Sequence, residues 1–180
     1  MRELSLHILD IAKNSVKADA SLIEINIVED AMDNFLSIEI SDNGCGMSPE
    51  FLKTVRDPFS TTRTTRKVGM GISLFEAAAM ATGGKLELSS ELGKGTSLKA
   101  YFTLDHIDRA PLGDMSGTMV TLISGSPDID FIYRHSKNGK DFTLDTAGLR
   151  TVLEGVPLDT PDVLGWISDF INEGLSEISQ

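Results

Sequence analysis

Three side chains near the start of the sequence carry the first chemical signal: Asp10, Asn14 and Lys17. If residues 2–18 are helical, the spacing i, i+4, i+7 stacks a carboxylate, an amide and an ammonium along one face. Magnesium takes a few hard oxygen ligands and leaves the rest of its shell to water and phosphate oxygens. An amide oxygen at Asn14 suits a metal ligand, Asp10 could orient or deprotonate an attacking group, and Lys17 could neutralise phosphate charge. The plain alternative is a solvated face, the usual meaning of a polar stripe opposite a core stripe.

A second signal is Asp42-Asn43-Gly44-Cys45-Gly46-Met47 at the end of an apolar alternation. A carboxylate fixed there can accept a hydrogen bond from an exocyclic amine such as adenine N6, and the glycines let backbone approach a flat ring. An ordinary glycine-rich turn would look the same. The third signal is Gly69-Met70-Gly71 opening a helix, where free N–H groups favour phosphate. Arg63, Arg66 and Lys67 stand just before it in a Thr-rich stretch. Those cations are a local departure from a chain with 16 Lys+Arg against 27 Asp+Glu and a net charge of −11. A mobile surface loop is the bland account of them.

The elements that must position these groups follow from periodicity. On a wheel of about 100° per residue, Leu4, Ile8, Ile11, Ala12 and Ser15 form the core side of the first helix, and His7 joins the polar stripe. Residues 21–28 and 35–41 alternate as two strands of a hairpin. Ser48-Pro49-Glu50 opens a short helix with Ser48 as N-cap. Residues 57–68 have no periodicity and read as a loop, residues 72–82 as a helix, and 85–89 and 97–104 as strands around Gly93-Lys94-Gly95. Beyond 105 the pattern predicts three short strands at 119–123, 131–135 and 142–144, the last two a hairpin through Asn138-Gly139. A final helix opens with Thr160 as N-cap and Pro161 in its first turn. Its wide apolar face includes Trp166 and is expected to cover the sheet, and the second half either extends the first sheet or docks on it.

Composition sets bounds on these readings. The chain has 180 residues, 41% hydrophobic, enough for one domain with an extension. Its acidity argues against nucleic acid or an anionic membrane as a partner, because both are recognised through Lys and Arg, so any phosphate must be held locally. No apolar run reaches the 18 or so residues of a membrane helix, no signal-peptide pattern is present, and Cys45 is the sole cysteine. The expected location is cytoplasmic.

Taken in order, the motifs resemble the GHKL superfamily of ATPase domains, shared by sensor histidine kinases, anti-sigma-factor kinases, gyrase, a heat-shock chaperone and mismatch-repair proteins. Asp10 to Lys17 is similar to the N box, Asp42 to Met47 to the G1 box, Asp57-Pro58-Phe59-Ser60-Thr61-Thr62-Arg63 to the F box and the start of the ATP lid, and Gly69-Met70-Gly71-Ile72 to the G2 box. Gly93-Lys94-Gly95-Thr96 resembles the turn that brings a Thr toward the base. The resemblance covers about residues 3–104.

It implies an α+β Bergerat fold: a two-layer α/β sandwich with a mixed sheet and helices on one face. Residues 1–104 would form the ATP-binding domain and 105–180 a C-terminal strand-and-helix extension, packed on or extending that sheet. ATP and magnesium would be bound by Asn14 (the metal ligand), Lys17, Asp42, Gly44, Gly46, Phe59, Thr62, Arg63, Gly69, Gly71, Ile72 and Thr96. Asp10 would be the catalytic base, although many members carry Glu there.

About 75 residues after the ATPase region are too few for a gyrase-like transducer domain, and no phosphoacceptor hairpin precedes Asp10. The resemblance therefore points to a stand-alone module passing the γ-phosphate to His or Ser of a partner protein. The rival reading is an ATP-dependent interaction switch with little turnover, and a homodimer stays open. A lid of about ten residues fits a simple module better than a clamp.

His106-Ile107-Asp108-Arg109-Ala110-Pro111-Leu112 echoes a phosphoacceptor motif but lacks its acidic second residue, and reads as a connector. His7 reads as a helix-surface residue, His135 as structural, Cys45 as a small half-buried lining residue, and Met47 and Met70 as pocket or core fillers.

Overall fold

The computed structural model describes residues 2–56 and 68–180. Its elements are α1 (Leu4–Lys17), β1 (Leu22–Asp30), β2 (Phe35–Asp42), α2 (Pro49–Thr54), α3 (Val68–Met80), β3 (Lys85–Glu91), β4 (Gly95–Thr103), α4 (Met115–Gly125), β5 (Asp130–Lys137), β6 (Lys140–Asp145), α5 (Thr146–Leu153) and α6 (Pro161–Ile178). The strands form one six-stranded sheet in the order β3-β4-β2-β1-β5-β6. β1 and β5 run parallel, with Ile25 opposite Tyr133, and the other neighbours are antiparallel. The sheet is therefore mixed, and the second half extends it through β5.

Alternation decides which face is covered. Ile23, Ile25 and Ile27 of β1, Leu36, Ile38 and Ile40 of β2, Leu98, Ala100 and Phe102 of β4, and Phe131 and Tyr133 of β5 are buried together. Glu24 and Asn26, on the opposite face of β1, are only partly covered. Helices lie across the apolar face: α3 packs on α1, α1 on α4, and α4 on α6. This is a two-layer α+β sandwich, as the motifs implied.

Local chemistry explains most boundaries. Ser48 caps α2, its hydroxyl accepting from Phe51 N at 3.2 Å, with Pro49 at the first helical position. Residues 119–123, read as a strand from their apolar run, belong instead to α4. Asp114 caps that helix by accepting from Gly117 N at 2.8 Å, and Met115, Met119, Leu122 and Ile123 face inward at helical spacing. A five-residue apolar run cannot distinguish the two periods, and the cap lay outside it.

α5 was not anticipated; Asp145 caps it, accepting from Ala147 N at 3.0 Å. α6 begins at Pro161 as expected, but Thr160 makes no side-chain cap, and its hydroxyl donates back to Pro157 O at 2.7 Å. α3 starts at Val68, earlier than the predicted 72.

Candidate functional site

The site is built where α1, the end of β2 and the first turn of α3 meet. On α1, Asp10 and Asn14 are half-buried and Lys17 is exposed in the last turn. Lys17 sits at the helix C-terminus, where a cation complements the dipole. The carboxylate of Asp10 lies against Gly71: a Cβ there would overlap Asp10 Oδ2, and Ile11 Cδ1 is 3.8 Å from the same point. Gly71 thus lets the first turn of α3 close on α1. By helix geometry the N–H groups of residues 68–70, in the first turn of α3, lack intrahelical partners, and this turn lies beside Asp10. Among the described residues, the Asp10, Asn14 and Lys17 side chains form no hydrogen bond or ion pair.

Asp42 is held from two directions. The buried Ser15 hydroxyl donates to its Oδ2 at 2.5 Å, and Gly44 N donates to its Oδ1 at 2.8 Å. A polar residue on the core stripe of α1 is the signal that could have revealed Ser15, because a buried hydroxyl requires a partner. The following loop is fixed by backbone: Cys45 N donates to Ala18 O at 2.9 Å, and Gly93 N donates to Cys45 O at 2.7 Å.

Gly44 packs so closely that a Cβ would stand 2.7 Å from Ala18 O. Gly46 has φ +70°, and a Cβ there would strike the Glu91 carbonyl. These glycines admit neighbouring backbone, which the motif reading had not assigned to them. Asn43 anchors the loop from the other side, accepting from Ser21 N at 2.9 Å and Leu22 N at 3.0 Å.

Thr96 stands directly opposite Asp42 in the β2–β4 register. Its hydroxyl pairs with Ser90 Oγ at 2.8 Å, and Ser90 also accepts from Met47 N at 2.8 Å. Ser90 therefore ties β3, β4 and the glycine-rich loop into one rigid wall, a role its position in an ordinary strand gave no hint of. Ile72 is buried in the core. Phe59, Thr62 and Arg63, with Arg66 and Lys67, lie outside the described residues.

Several expectations change. His7 is not a surface residue: it is 4% exposed, stacked on Phe75 of α3 with ring centroids 5.2 Å apart, and its Nδ1 is buried without a partner among the described residues. Burial holds its imidazole below the ordinary value, while Asp10 pulls weakly the other way. The helical wheel put His7 on the polar stripe because it could not know that α3 would cover that end.

Cys45 is exposed, not half-buried, and Met70 is exposed as well. His106 lies in a turn, its Nδ1 accepting from Asp108 N at 3.1 Å, in keeping with a connector. His135 is buried between Tyr133 and Glu29, at 2.7 and 2.8 Å.

Magnesium can be tested against these residues. No group of three or more His, Cys, Asp or Glu side chains that could hold a metal ion exists among the described residues. A cation here would depend on the unpartnered Asn14 amide and on oxygens brought by its ligand, which is how magnesium is held with phosphates. The donor set fits that mode, and the described residues offer no all-protein cage.

The two-layer sandwich, with an unpaired Asp/Asn helix face, a doubly held carboxylate at a strand end and a glycine-opened helix, places the chain in a known class of folds. The family model for the histidine kinase-, DNA gyrase B- and HSP90-like ATPases matches residues 2–107, and the chain belongs to that family. Histidine protein kinase DivJ of Caulobacter vibrioides is 30% identical over 101 residues, covering 54% of this chain and 17% of DivJ. Sensor kinase CckA of Brucella abortus is 31% identical over 90 residues, 49% of this chain and 9% of CckA. The chain thus spans only a small part of these relatives.

Among solved structures, the Aquifex aeolicus MutL ATPase domain complexed with ADP superposes with TM-score 0.50 at 15% identity, over 86% of this chain and 68% of that one. The N-terminal domain of a DNA repair protein gives 0.56 at 17% identity, over 81% and 53%. These two share the fold. No helix among the described residues is long and apolar enough to cross a membrane.

Proposed function

We propose that this chain binds ATP with magnesium in the cleft between α1, the loop after β2 and α3, and passes the γ-phosphate to a His or Ser of a partner protein in signalling. The observation that supports the reading is that α1 meets both other motifs: its Ser15 fixes Asp42 together with Gly44, and its Asp10, on the unpartnered Asp10–Asn14 face, lies against Gly71 in the first turn of α3. Asp42 would accept from the adenine amine, since its two holds occupy one lone pair on each oxygen and leave the other free. Asn14 would hold magnesium, which supplies charge neutralisation at the phosphates. The amides of 68–70 and Lys17 would bind phosphate oxygens, and Asp10 would orient the attacking group. Residues 1–104 supply every one of these groups, and 105–180 buttress α1 through α4.

The second reading is an ATP-dependent switch, in which nucleotide binding changes partner affinity with little turnover. It is favoured by Gly71 and Asp10, whose tight fit couples α3 to α1 and lets nucleotide binding bias their packing. γ-Labelled ATP separates the two. Label transferred to a co-purified partner, and lost with Asn14→Ala, supports the kinase; tight ATP binding without transfer supports the switch. Failure to bind ATP in the presence of magnesium would refute both.

A further inference from the structure

The last thirty residues carry charge of one sign. Residues 151–180 contain Glu154, Asp159, Asp162, Asp169, Glu173 and Glu177 and no Lys or Arg, so more than half of the net charge of −11 sits in a sixth of the chain. None of these carboxylates has a cationic partner among the described residues. On α6 they are gathered on one side: Asp162, Asp169, Glu173 and Glu177 stand at −4, +3, +7 and +11 from Trp166, and all are exposed.

The arrangement works against the helix itself. Asp169, Glu173 and Glu177 repeat at i, i+4, where like charges repel. Glu173 and Glu177 lie toward the C-terminal end of α6, where negative charge opposes the dipole; the last turn of the helix has no basic residue of its own, and Lys137 and Lys140 reach that end only at Ser179 Oγ and Gln180 O.

Trp166, half exposed, lies on this face between Asp162 and Asp169. It is a rigid platform: Phe170 stacks on it with centroids 5.0 Å apart and planes at 9°, and Phe170 packs at 5.2 Å on Phe142, which packs at 6.0 Å on the buried Tyr133. A ladder of rings thus runs from the core to a surface indole that stands between the unpaired Asp162 and Asp169 on the acidic stripe of α6. A Trp face with surrounding negative charge is the surface that best receives a guanidinium, through cation–π attraction and charge-assisted hydrogen bonds.

We propose that the Trp166 face of α6 is a docking surface for a cationic, arginine-bearing segment of another protein. Charge decides the occupant. A two-fold contact with a second copy would set these carboxylates against each other, and an anionic membrane would be repelled. α4 separates α6 from α1, so this surface lies apart from the nucleotide cleft and can be engaged whether or not ATP is bound. The proposal does not rest on phosphate transfer.

Trp166 is the sole tryptophan, so its emission reports on the patch directly. The probe is a synthetic amphipathic peptide of Arg and Leu, titrated into the full chain without nucleotide and compared with a Glu/Leu peptide of equal length. The expected result is a saturable change in Trp166 emission with reduced acrylamide quenching, given by the Arg peptide alone. Binding followed by calorimetry should weaken at least tenfold in Asp169→Lys/Glu173→Lys and in Trp166→Ala. It should stay within twofold in Asp33→Lys/Asp108→Lys, which makes the same change in net charge elsewhere, with circular dichroism confirming the fold of each variant. Three results would overturn the proposal: equal weakening by both charge reversals, binding that leaves Trp166 emission unchanged, or a dimer in sedimentation that Trp166→Ala dissociates.

Discussion

Replacing Ser15 by Ala tests the candidate site at a residue that need not touch the nucleotide. The Ser15 hydroxyl is buried and donates to Asp42 Oδ2 at 2.5 Å; Gly44 N holds the other oxygen at 2.8 Å. A hydrogen bond to a charged group contributes about 1.5–3 kcal/mol. Alanine leaves no orphaned donor, and the Gly44 bond survives, so the lower end applies. A loss of about 1.5 kcal/mol in the positioning of Asp42 corresponds to roughly tenfold in affinity.

The expected result is ATP binding weakened roughly tenfold in Ser15→Ala, measured by calorimetry with magnesium, while tripolyphosphate, which has no base, binds unchanged. Asp42→Asn should cost about 1.5–3 kcal/mol, because its amide would face the adenine amine donor to donor. Adding Ser15→Ala to Asp42→Asn should then cost little more, since the two act as a unit. Equal losses for ATP and tripolyphosphate, or additive effects of the two substitutions, would refute the assignment of Asp42 to the base.

Three further outcomes follow from the packing and the titrating groups. Gly174→Ala would drive a methyl into the Phe142 ring, and overpacking of this kind costs about 1–3 kcal/mol, read as a lower midpoint in urea denaturation. The hydrogen bond from His135 holds the Glu29 carboxyl below its ordinary value, so the stability it contributes is present above the usual Glu range and lost as pH falls through the folded value. Glu29→Gln should accordingly flatten the acid limb of a stability–pH curve. Burial lowers the His7 pKa, so the unfolded chain binds the proton more readily and stability should fall as pH drops below about 6.5. His7→Phe should remove that slope between about pH 7 and 5.

Where the sequence was readable, periodicity and end signals agreed. α1, the β1–β2 hairpin, the Ser48 cap and the β3–β4 pair combine a clear repeat with a residue that stops it. The ordered motifs named Asp10, Asn14, Asp42, Gly71 and Thr96, and the fold sets Gly71 against Asp10 and Thr96 opposite Asp42. What stayed hidden depended on partners distant in sequence. His7 looked polar and outward until Phe75 covered it. Ser15 looked like a tolerated small core residue until Asp42 arrived from β2. The apolar run at 119–123 carried no period of its own, and only the Asp114 cap and the packing between α1 and α6 make it helical.

The parallel seam between β1 and β5 has a consequence for the order of events during synthesis. Residues 22–29 find their partners at 130–137. At a translation rate of 5–20 residues per second, β1 waits on the order of ten seconds for the strand that completes its edge. Through that interval its outer row of N–H and C=O groups stands open, with Ile23, Ile25 and Ile27 on one side of it. Glu24 and Asn26 on the other side are the only polar side chains within that Ile23–Ile27 stretch. Those two residues, which have no part in the cleft, are thus placed to keep the nascent chain from pairing with a neighbour before its own β5 emerges.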